Sequence, residues 1–260
     1  MEVRLTAPLS ARMIELAALA PGQRVLDLAT GRGEPAIAAA RVVAPHGEVI
    51  GVDPAASMLA MARQRADREG LANLALRCLD AAALDELPTA SFDAVLCRWG
   101  LQYMARPAEA LAGARRCLRD HGRLVVAVWC EPERVPYSSW GRRLLELERP
   151  LPPVELDRPG TFYYADPSRL VRDLEGAGFD LLGSEEVEVP VMEAATVPEL
   201  VAWLRAFGMA RLFNELAISD EAQRSWEAAV AAHSDELLEG GRYRLGGVTR
   251  LVVATPRRAR

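Results

Sequence analysis

The chain contains no lysine; apart from three histidines, all 31 of its basic side chains are arginine. That absence excludes Schiff-base chemistry, which needs a lysine amine, and is otherwise accounted for by a GC-rich coding sequence. No window is apolar for long enough to span a bilayer, and no basic segment followed by a long apolar run opens the chain. No transmembrane helix and no secretory leader are therefore expected. The four cysteines, Cys78, Cys97, Cys117 and Cys130, form no Cys-x-x-Cys pair. Free thiols in apolar runs are the expectation, and a reducing cytoplasm suits them. No cluster of histidine, cysteine and carboxylate has metal-ligand spacing, so no metal is expected. There is no internal repeat and no low-complexity linker. A net charge of −5 weighs against a nucleic-acid partner.

What is present is a regular alternation. Helical spacing runs from Pro8 to Leu19, and strands are expected at Arg24–Ala29, Glu48–Val52, Leu74–Leu79, Phe92–Cys97 and Arg123–Trp129. Between them lie helices beginning near Glu34, over Pro54–Glu69 with Pro54 in the first turn, and over Ala108–Leu118. Strands separated by helix-length segments imply right-handed βαβ units and a mainly parallel sheet. After Trp129 the texture changes to a stretch rich in proline and aromatics, with a short helix at Trp140–Glu148. A helix at Pro167–Ala177 and a strand at Phe179–Val189 follow. Residues 197–238 read as two amphipathic helices broken near Ile218–Asp220, where Ser219 or Asp220 caps the second. The last strand is expected at Arg250–Ala254, ahead of a frayed basic tail, Arg257–Arg260.

The domain reading that follows has a helix at 1–20 belonging to a lid and a cofactor-binding core at 21–130. A lid insertion at 131–165, core again at 166–190, a helical cap at 191–242 and the final strand and tail at 243–260 complete it.

The most informative stretch is Val25-Leu26-Asp27-Leu28-Ala29-Thr30-Gly31-Arg32-Gly33-Glu34. A buried strand meets a Gly-x-Gly turn and then a helix, the nucleotide-binding corner of an open α/β sheet. Gly31 to Ala36 formally matches Gly-x-Gly-x-x-Ala, so a nicotinamide or flavin cofactor has to be weighed. A dinucleotide places its pyrophosphate on the helix N-terminus, where Glu34 and Asp27 would oppose it. A cationic cofactor suits two carboxylates better. Asp53, at the end of its strand, is placed to accept from vicinal ribose hydroxyls. Asp80 is placed to accept from an exocyclic adenine amine. Helix capping is the competing reading of both.

Three segments, Val25–Gly33, Gly51-Val52-Asp53-Pro54 and Asp80-Ala81, together resemble the ordered motifs of class I S-adenosylmethionine-dependent methyltransferases. Ser91–Gly100 and Leu118–Leu124 extend the likeness over roughly residues 20 to 130. The texture is closest to the ubiquinone and menaquinone biosynthesis C-methyltransferases and other small-molecule methyltransferases. The resemblance implies a Rossmann-like, seven-stranded sheet with helices on both faces, its last strand antiparallel. It also implies S-adenosyl-L-methionine as cofactor, held at Asp27, Gly31, Gly33, Asp53, Asp80 and Ala81. Ala29, Thr30, Pro54, Met58, Cys97 and Arg98 join that set as neighbours. Ala29 departs from the family, which often has glycine there.

Ligands in open α/β sheets bind beyond the carboxyl ends of the strands, which brings Cys97–Met104 and Val128–Cys130 to the reacting methyl. Arg98, Gln102 and Tyr103 are the catalytic candidates, Arg98 as an oxyanion or enolate stabiliser. Trp99, Tyr103, Trp129, Tyr137, Trp140, Tyr163, Trp203 and Phe207 are candidates for an apolar substrate site, with Phe162, Tyr164, Met209 and Phe213 as further lining. His46, His121 and His233 read as structural or solvated.

The function expected is methyl transfer to oxygen or carbon of an apolar secondary metabolite or quinone-like molecule. A methyltransferase-like cyclase with no net transfer is the alternative. Monomer and homodimer are both open.

Overall fold

A computed structural model of the chain describes residues 3–258. Along the chain run α1 (Val3–Leu16), β1 (Arg24–Leu28), α2 (Ala36–Val43), β2 (Glu48–Asp53), α3 (Ala56–Arg68), β3 (Leu74–Cys78), β4 (Phe92–Arg98), α4 (Pro107–Cys117) and β5 (Leu118–Trp129). Then follow α5 (Pro136–Glu146), α6 (Pro167–Gly176), β6 (Phe179–Ala194), α7 (Val197–Leu204), α8 (Ala210–Glu215), α9 (Asp220–His233), β7 (Leu238–Glu239) and β8 (Arg242–Pro256).

The strands form one sheet in the order β3-β2-β1-β4-β5-β8-β6, with the two-residue β7 pairing β8 beside that path. Strands β3, β2, β1, β4 and β5 are mutually parallel, and β8 is antiparallel to β5. This is the Rossmann-like, mainly parallel sheet expected, with the last strand reversed and the short β7 making an eighth strand beside the expected seven. Right-handed crossovers put α2 and α3 on one face and α4 on the other. The order reverses between β1 and β4, the kind of switch point at which open α/β sheets take their ligands. Both faces are covered, so β1, β2 and the second half of β5 are buried almost continuously. One face packs Leu26, Ile50, Val95 and Val126 against Leu111 and Cys117 of α4 and Leu170 and Leu174 of α6.

By contacts the chain divides into two compact units. Among the described residues the larger holds 7–129, 156–187 and 249–258; the smaller holds 130–155 and 188–248 with the N-terminal turn of α1. Residues 156–165 therefore fall in the larger unit.

Several boundaries differ from those read along the sequence, each for a local reason. Helix α1 starts at Val3 and accommodates Pro8. Helix α3 starts at Ala56, not Pro54, because Asp53 Oδ1 accepts the Ala55 N–H at 2.8 Å and holds Pro54 in the preceding bend. Strand β5 begins at Leu118, where an irregular register between Phe92 and Ala94 allows early pairing. Strand β8 begins at Arg242 because Gly240 and Gly241, with φ of 57° and 78°, close a hairpin with β7.

Caps fall where the residue types place them. Asp166 accepts from Ser168 N, Thr196 from Glu199 N and Ser219 from Ala222 N. The tail is not wholly frayed, since Arg257 donates to Asp180 Oδ1 at 2.7 Å and to the Phe179 carbonyl at 3.0 Å. Ala259 and Arg260 lie outside the described residues. Cys97, Cys117 and Cys130 are buried, Cys78 is exposed, and none of the four is in a disulfide.

Candidate active site

The glycine turn after β1 is held by backbone bonds that leave little freedom. Thr30 N donates to Val52 O at 2.9 Å, and Gly33 N to Thr30 O at 2.8 Å. Gly31 N donates to Asp53 Oδ2 at 2.9 Å. Gly33 has φ of 93°, and a Cβ there would stand 2.8 Å from Ile37 Cδ1, so glycine is required twice over. Ala29 also takes a left-handed φ of 52°, although its side chain disfavours that region. This is the position where the resemblance implies glycine, and the backbone keeps glycine's conformation without the residue. Asp53 is buried and bridges the turn to the start of α3, each carboxylate oxygen retaining acceptor capacity for a ligand hydroxyl. Met58, 37% exposed, lies over the turn, its Cε 3.7 Å from where a Gly31 Cβ would be.

Beneath the turn sits Asp27, wholly buried in β1. Its Oδ2 accepts the Ala36 N–H at 3.2 Å. Burial pushes its carboxyl from 3.8 up to about 7, opposed by the Thr30 hydroxyl, the Arg98 charge and the Ala36 N–H, and reinforced by Glu34. Thr30 Oγ1 is near enough to act on that carboxyl but lies outside hydrogen-bonding geometry. Both Asp27 Oδ1 and Thr30 Oγ1 are shielded from solvent without a partner. Buried polar atoms normally have one, so this pair marks a place for a ligand or a water.

Glu34 does not offer a bare charge to a cofactor. It is buried against Arg65 of α3, whose Nη2 lies 2.7 Å from Glu34 Oε1 and whose Nη1 donates to the Arg32 carbonyl at 2.6 Å. Arg32 itself is exposed. Arg65 was not foreseen; nothing in the spacing of α3 distinguishes it from the other arginines there. Arg98, at the end of β4, donates to Ser10 Oγ of α1 at 3.0 Å and lies over the Trp99 ring at 5.2 Å. Burial lowers its guanidinium pKa, while Glu34 and Asp27 favour its charge. Arg98 thus belongs to the buried charge group under the turn.

Cys97 is buried beside Asp27, and burial pushes its thiol up to about 12, so it is neutral packing at physiological pH.

Beyond β4 the backbone bends sharply. Trp99 has φ of 55°, and its N–H donates to Ala127 O at 2.8 Å. Its ring stacks on Trp129 with centroids 4.4 Å apart and planes 12° from parallel, while Nε1 donates to Thr249 Oγ1 at 3.0 Å. A strained backbone in a fully anchored side chain is a feature of functional sites. Both indoles are buried; they pack on each other and shape the strand ends.

Gln102 is fully buried; it accepts the Trp129 N–H through Oε1 at 3.1 Å, its carbonyl accepts Gly160 N at 2.8 Å, and its Nε2 has no partner. Tyr103 is 49% exposed, its hydroxyl 3.0 Å from Thr161 Oγ1.

Asp80 is exposed at the end of β3, where Oδ1 accepts Ala82 N at 2.9 Å and Arg106 lies 3.8 Å from Oδ2; Ala81 beside it is buried. Tyr163 packs edge-on to Tyr164 beneath Arg169, whose guanidinium is 4.6 Å from its ring. In the smaller unit, Trp140 is buried and donates to Glu236 Oε2 at 3.1 Å. Phe162, Tyr164, Met209 and Phe213 are buried too. Tyr137 stands edge-on to Trp203 at 5.9 Å, and Trp203 stacks on Phe207 at 5.0 Å. His46 is exposed ahead of β2, His121 lies near the start of β5, and His233 ends α9.

These residues test the choice of cofactor. A pyrophosphate needs the free N–H groups of the helix after the turn. Here the first of them, Ala36 N–H, is taken by Asp27, and Glu34 with Arg65 occupies the same corner. An unpartnered carboxylate oxygen under the loop suits an ammonium or sulfonium instead, and Asp53 retains acceptors for ribose hydroxyls. The residues fit S-adenosylmethionine.

Comparison with known proteins agrees. The methyltransferase domain family model matches residues 19–148, half of the chain. The chain belongs to the class I S-adenosylmethionine-dependent methyltransferase family. It is 30% identical to the aklanonic acid methyltransferase DauC of Streptomyces sp. strain C5 over 187 residues, covering 68% of this chain and 84% of that one. It is 40% identical to the demethylmenaquinone methyltransferase of Thermus thermophilus over 124 residues, or 47% of this chain. The chain spans about half the length of two of the curated relatives it matches, 54% in each case. Among solved structures, the [4+2]-cyclase SpnF superposes with a TM-score of 0.61 at 22% identity, covering 97% of this chain and 82% of that one. That likeness is one of fold alone. Among the described residues no helix is long and apolar enough to cross a membrane.

Proposed function

We propose that this protein transfers a methyl group from S-adenosylmethionine to an oxygen or carbon of an apolar small molecule of the quinone or polyketide kind. The observation that carries the cofactor half is the pair of buried, unpartnered atoms under the glycine turn, Asp27 Oδ1 and Thr30 Oγ1. The acceptor half is supported by relatives named for demethylmenaquinone and aklanonic acid. When bound, S-adenosylmethionine supplies an electrophilic methyl carbon and leaves as neutral S-adenosylhomocysteine.

In this reading Asp27 and Thr30 hold the cationic end of the cofactor. Asp53 accepts from the ribose hydroxyls, Met58 covers the turn, and Asp80 with Ala81 meets the base. Pro54 and Cys97 shape the walls. Arg98 balances the two acids beneath the turn and supplies positive potential to an acceptor that loses its proton. Tyr103 and Tyr163 are the proposed acceptor contacts; Tyr137, Trp203 and Phe207 form an aromatic cluster of their own in the smaller unit. Holding acceptor and methyl in line supplies much of the acceleration in such a displacement. A small-molecule acceptor in place of nucleic acid accords with the net charge of −5, and a cytoplasmic setting with the free cysteines.

The test is direct. S-adenosylhomocysteine should raise the melting temperature while NAD leaves it unchanged. With methyl-labelled S-adenosylmethionine and a panel of hydroxyquinones and polyketide phenols, label should pass to one acceptor class. Product formed without release of S-adenosylhomocysteine would instead establish a cyclase, and no response to either sulfur ligand would defeat the proposal.

A further inference from the structure

The chain between Val197 and Glu215 is helical throughout, but Arg205–Met209 forms a π-turn within it. The burial pattern shows why. The inward residues are Leu200, Leu204, Met209 and Phe213, spaced four, five and four apart. The five-residue step is the inserted residue. It lets Met209 reach Gly141 of α5, where a Cβ would stand 3.3 Å from its sulfur, and lets Phe213 meet Trp226 edge-on at 5.2 Å. Single π-turns of this kind recur at functional sites.

On the outer side the same turn presents Phe207, 58% exposed, stacked on half-buried Trp203 with planes 29° apart. Tyr137 abuts Trp203 from α5. Two neighbouring features bear on the exposed ring face. Arg205 is drawn away, donating to Gln223 at 2.8 Å and Glu227 at 2.6 Å. Gly208 has no steric need to be glycine, since a Cβ there would meet nothing within 4 Å and its φ is not positive. Glycine is the poorest helix former after proline, so an unforced glycine beside an exposed ring points to something that lies against it.

We infer that Trp203, Phe207 and Gly208 form a stacking platform that selects planar, fused-ring aromatic molecules. The inference rests on the methyltransferase reading, in which that molecule is the acceptor. A second copy of the chain is a poorer occupant. Even fully covered, three aromatic side chains contribute about 150–250 Å² each, short of the roughly 800 Å² per partner of a stable interface. An offset stack on a ring face also discriminates by shape, which an aliphatic contact does not.

The test uses two alcohols on one carbon skeleton, planar 2-naphthol and puckered decahydro-2-naphthol. Their affinities are measured by equilibrium dialysis against the full chain and its Phe207→Leu and Gly208→Val variants. The wild type should bind 2-naphthol about tenfold more tightly than its saturated counterpart, the upper range for an aromatic pair. Phe207→Leu should erase that ratio, and Gly208→Val should reduce it, with the S-adenosylhomocysteine-induced rise in melting temperature reporting folded protein. Equal affinities in the wild type, or a ratio unchanged in Phe207→Leu, would overturn the inference. So would a change in oligomeric mass on Phe207→Leu at constant naphthol affinity, which would make this surface an interface between copies. Should S-adenosylhomocysteine not stabilise the wild type, the methyltransferase reading fails, and the ratio of the two alcohols still decides the platform.

Discussion

Asp27 combines burial, charge and an open valence in one side chain. Its carboxyl stands at about 7 against 3.8 in the unfolded chain, so between those values the folded protein holds a proton that the unfolded one has lost. The stability this proton confers is complete below pH 3.8 and disappears as the pH rises through 7. A cationic ligand reverses the preference by favouring the carboxylate. Asp27→Asn should therefore flatten the fall in apo melting temperature between pH 5 and about pH 8, yet diminish the stabilisation by S-adenosylmethionine. Scanning fluorimetry at both pH values, with and without ligand, reads both effects; parallel pH slopes and an undiminished ligand shift would refute the role. Ala29 makes a second case. Its left-handed φ of 52° costs a Cβ-bearing residue about 1 kcal/mol. Ala29→Gly should raise the apo melting temperature by about 2–4 °C, and a lower melting temperature would show that the turn is not strained. That alanine could be read as a departure from the sequence, but its strain could not, because φ is imposed by Thr30, Gly31 and Asp53 together.

At the scale of elements, α3 reaches back to the turn between β1 and α2 and adds to the bonds that hold it. Arg65 and Glu34 are 18% and 6% exposed as side chains, close at 2.7 Å. Breaking one partner of such a buried pair costs about 3–5 kcal/mol, because the other charge stays buried alone. Arg65→Met should destabilise by about that much, and adding Glu34→Gln should recover most of it, a coupling readable in a denaturant double-mutant cycle. Additive losses would mean the pair does not act as a unit. The sequence foresaw Glu34 as a charge at the turn and not its neutralisation, since no local pattern links residues 31 apart. The π-turn in the smaller unit was equally hidden. Residues 197–238 read as two plain helices, and the five-residue step becomes visible only once α5 and α9 define the inside.

At the scale of the whole molecule, the sheet was legible from its buried runs. Val25–Leu28, Val49–Val52 and Phe92–Cys97 are apolar because α2 and α3 cover one face and α4 and α6 the other. The glycine turn, the acidic strand ends at Asp53 and Asp80, and the family likeness followed from short-range pattern. The aromatic residues were less legible. Trp99, Trp129, Trp140 and Gln102 follow strand ends or enrich a segment, and the structure encloses each of them against other side chains or backbone. Composition records that a segment has rings and amides to place; it does not say whether they meet a ligand or one another.

The sequence by itself thus determined the parallel sheet, the glycine turn proposed to receive the cofactor and the sign of charge around it, because strand burial, glycine turns and capping are local physics. Only the tertiary structure decided which charges are left unanswered. Asp27 and Thr30 keep unpartnered atoms while Glu34 is matched by Arg65 from another helix. Pairing across the fold depends on distances that no window of sequence contains, and those distances separate the acids available to a ligand from those already satisfied.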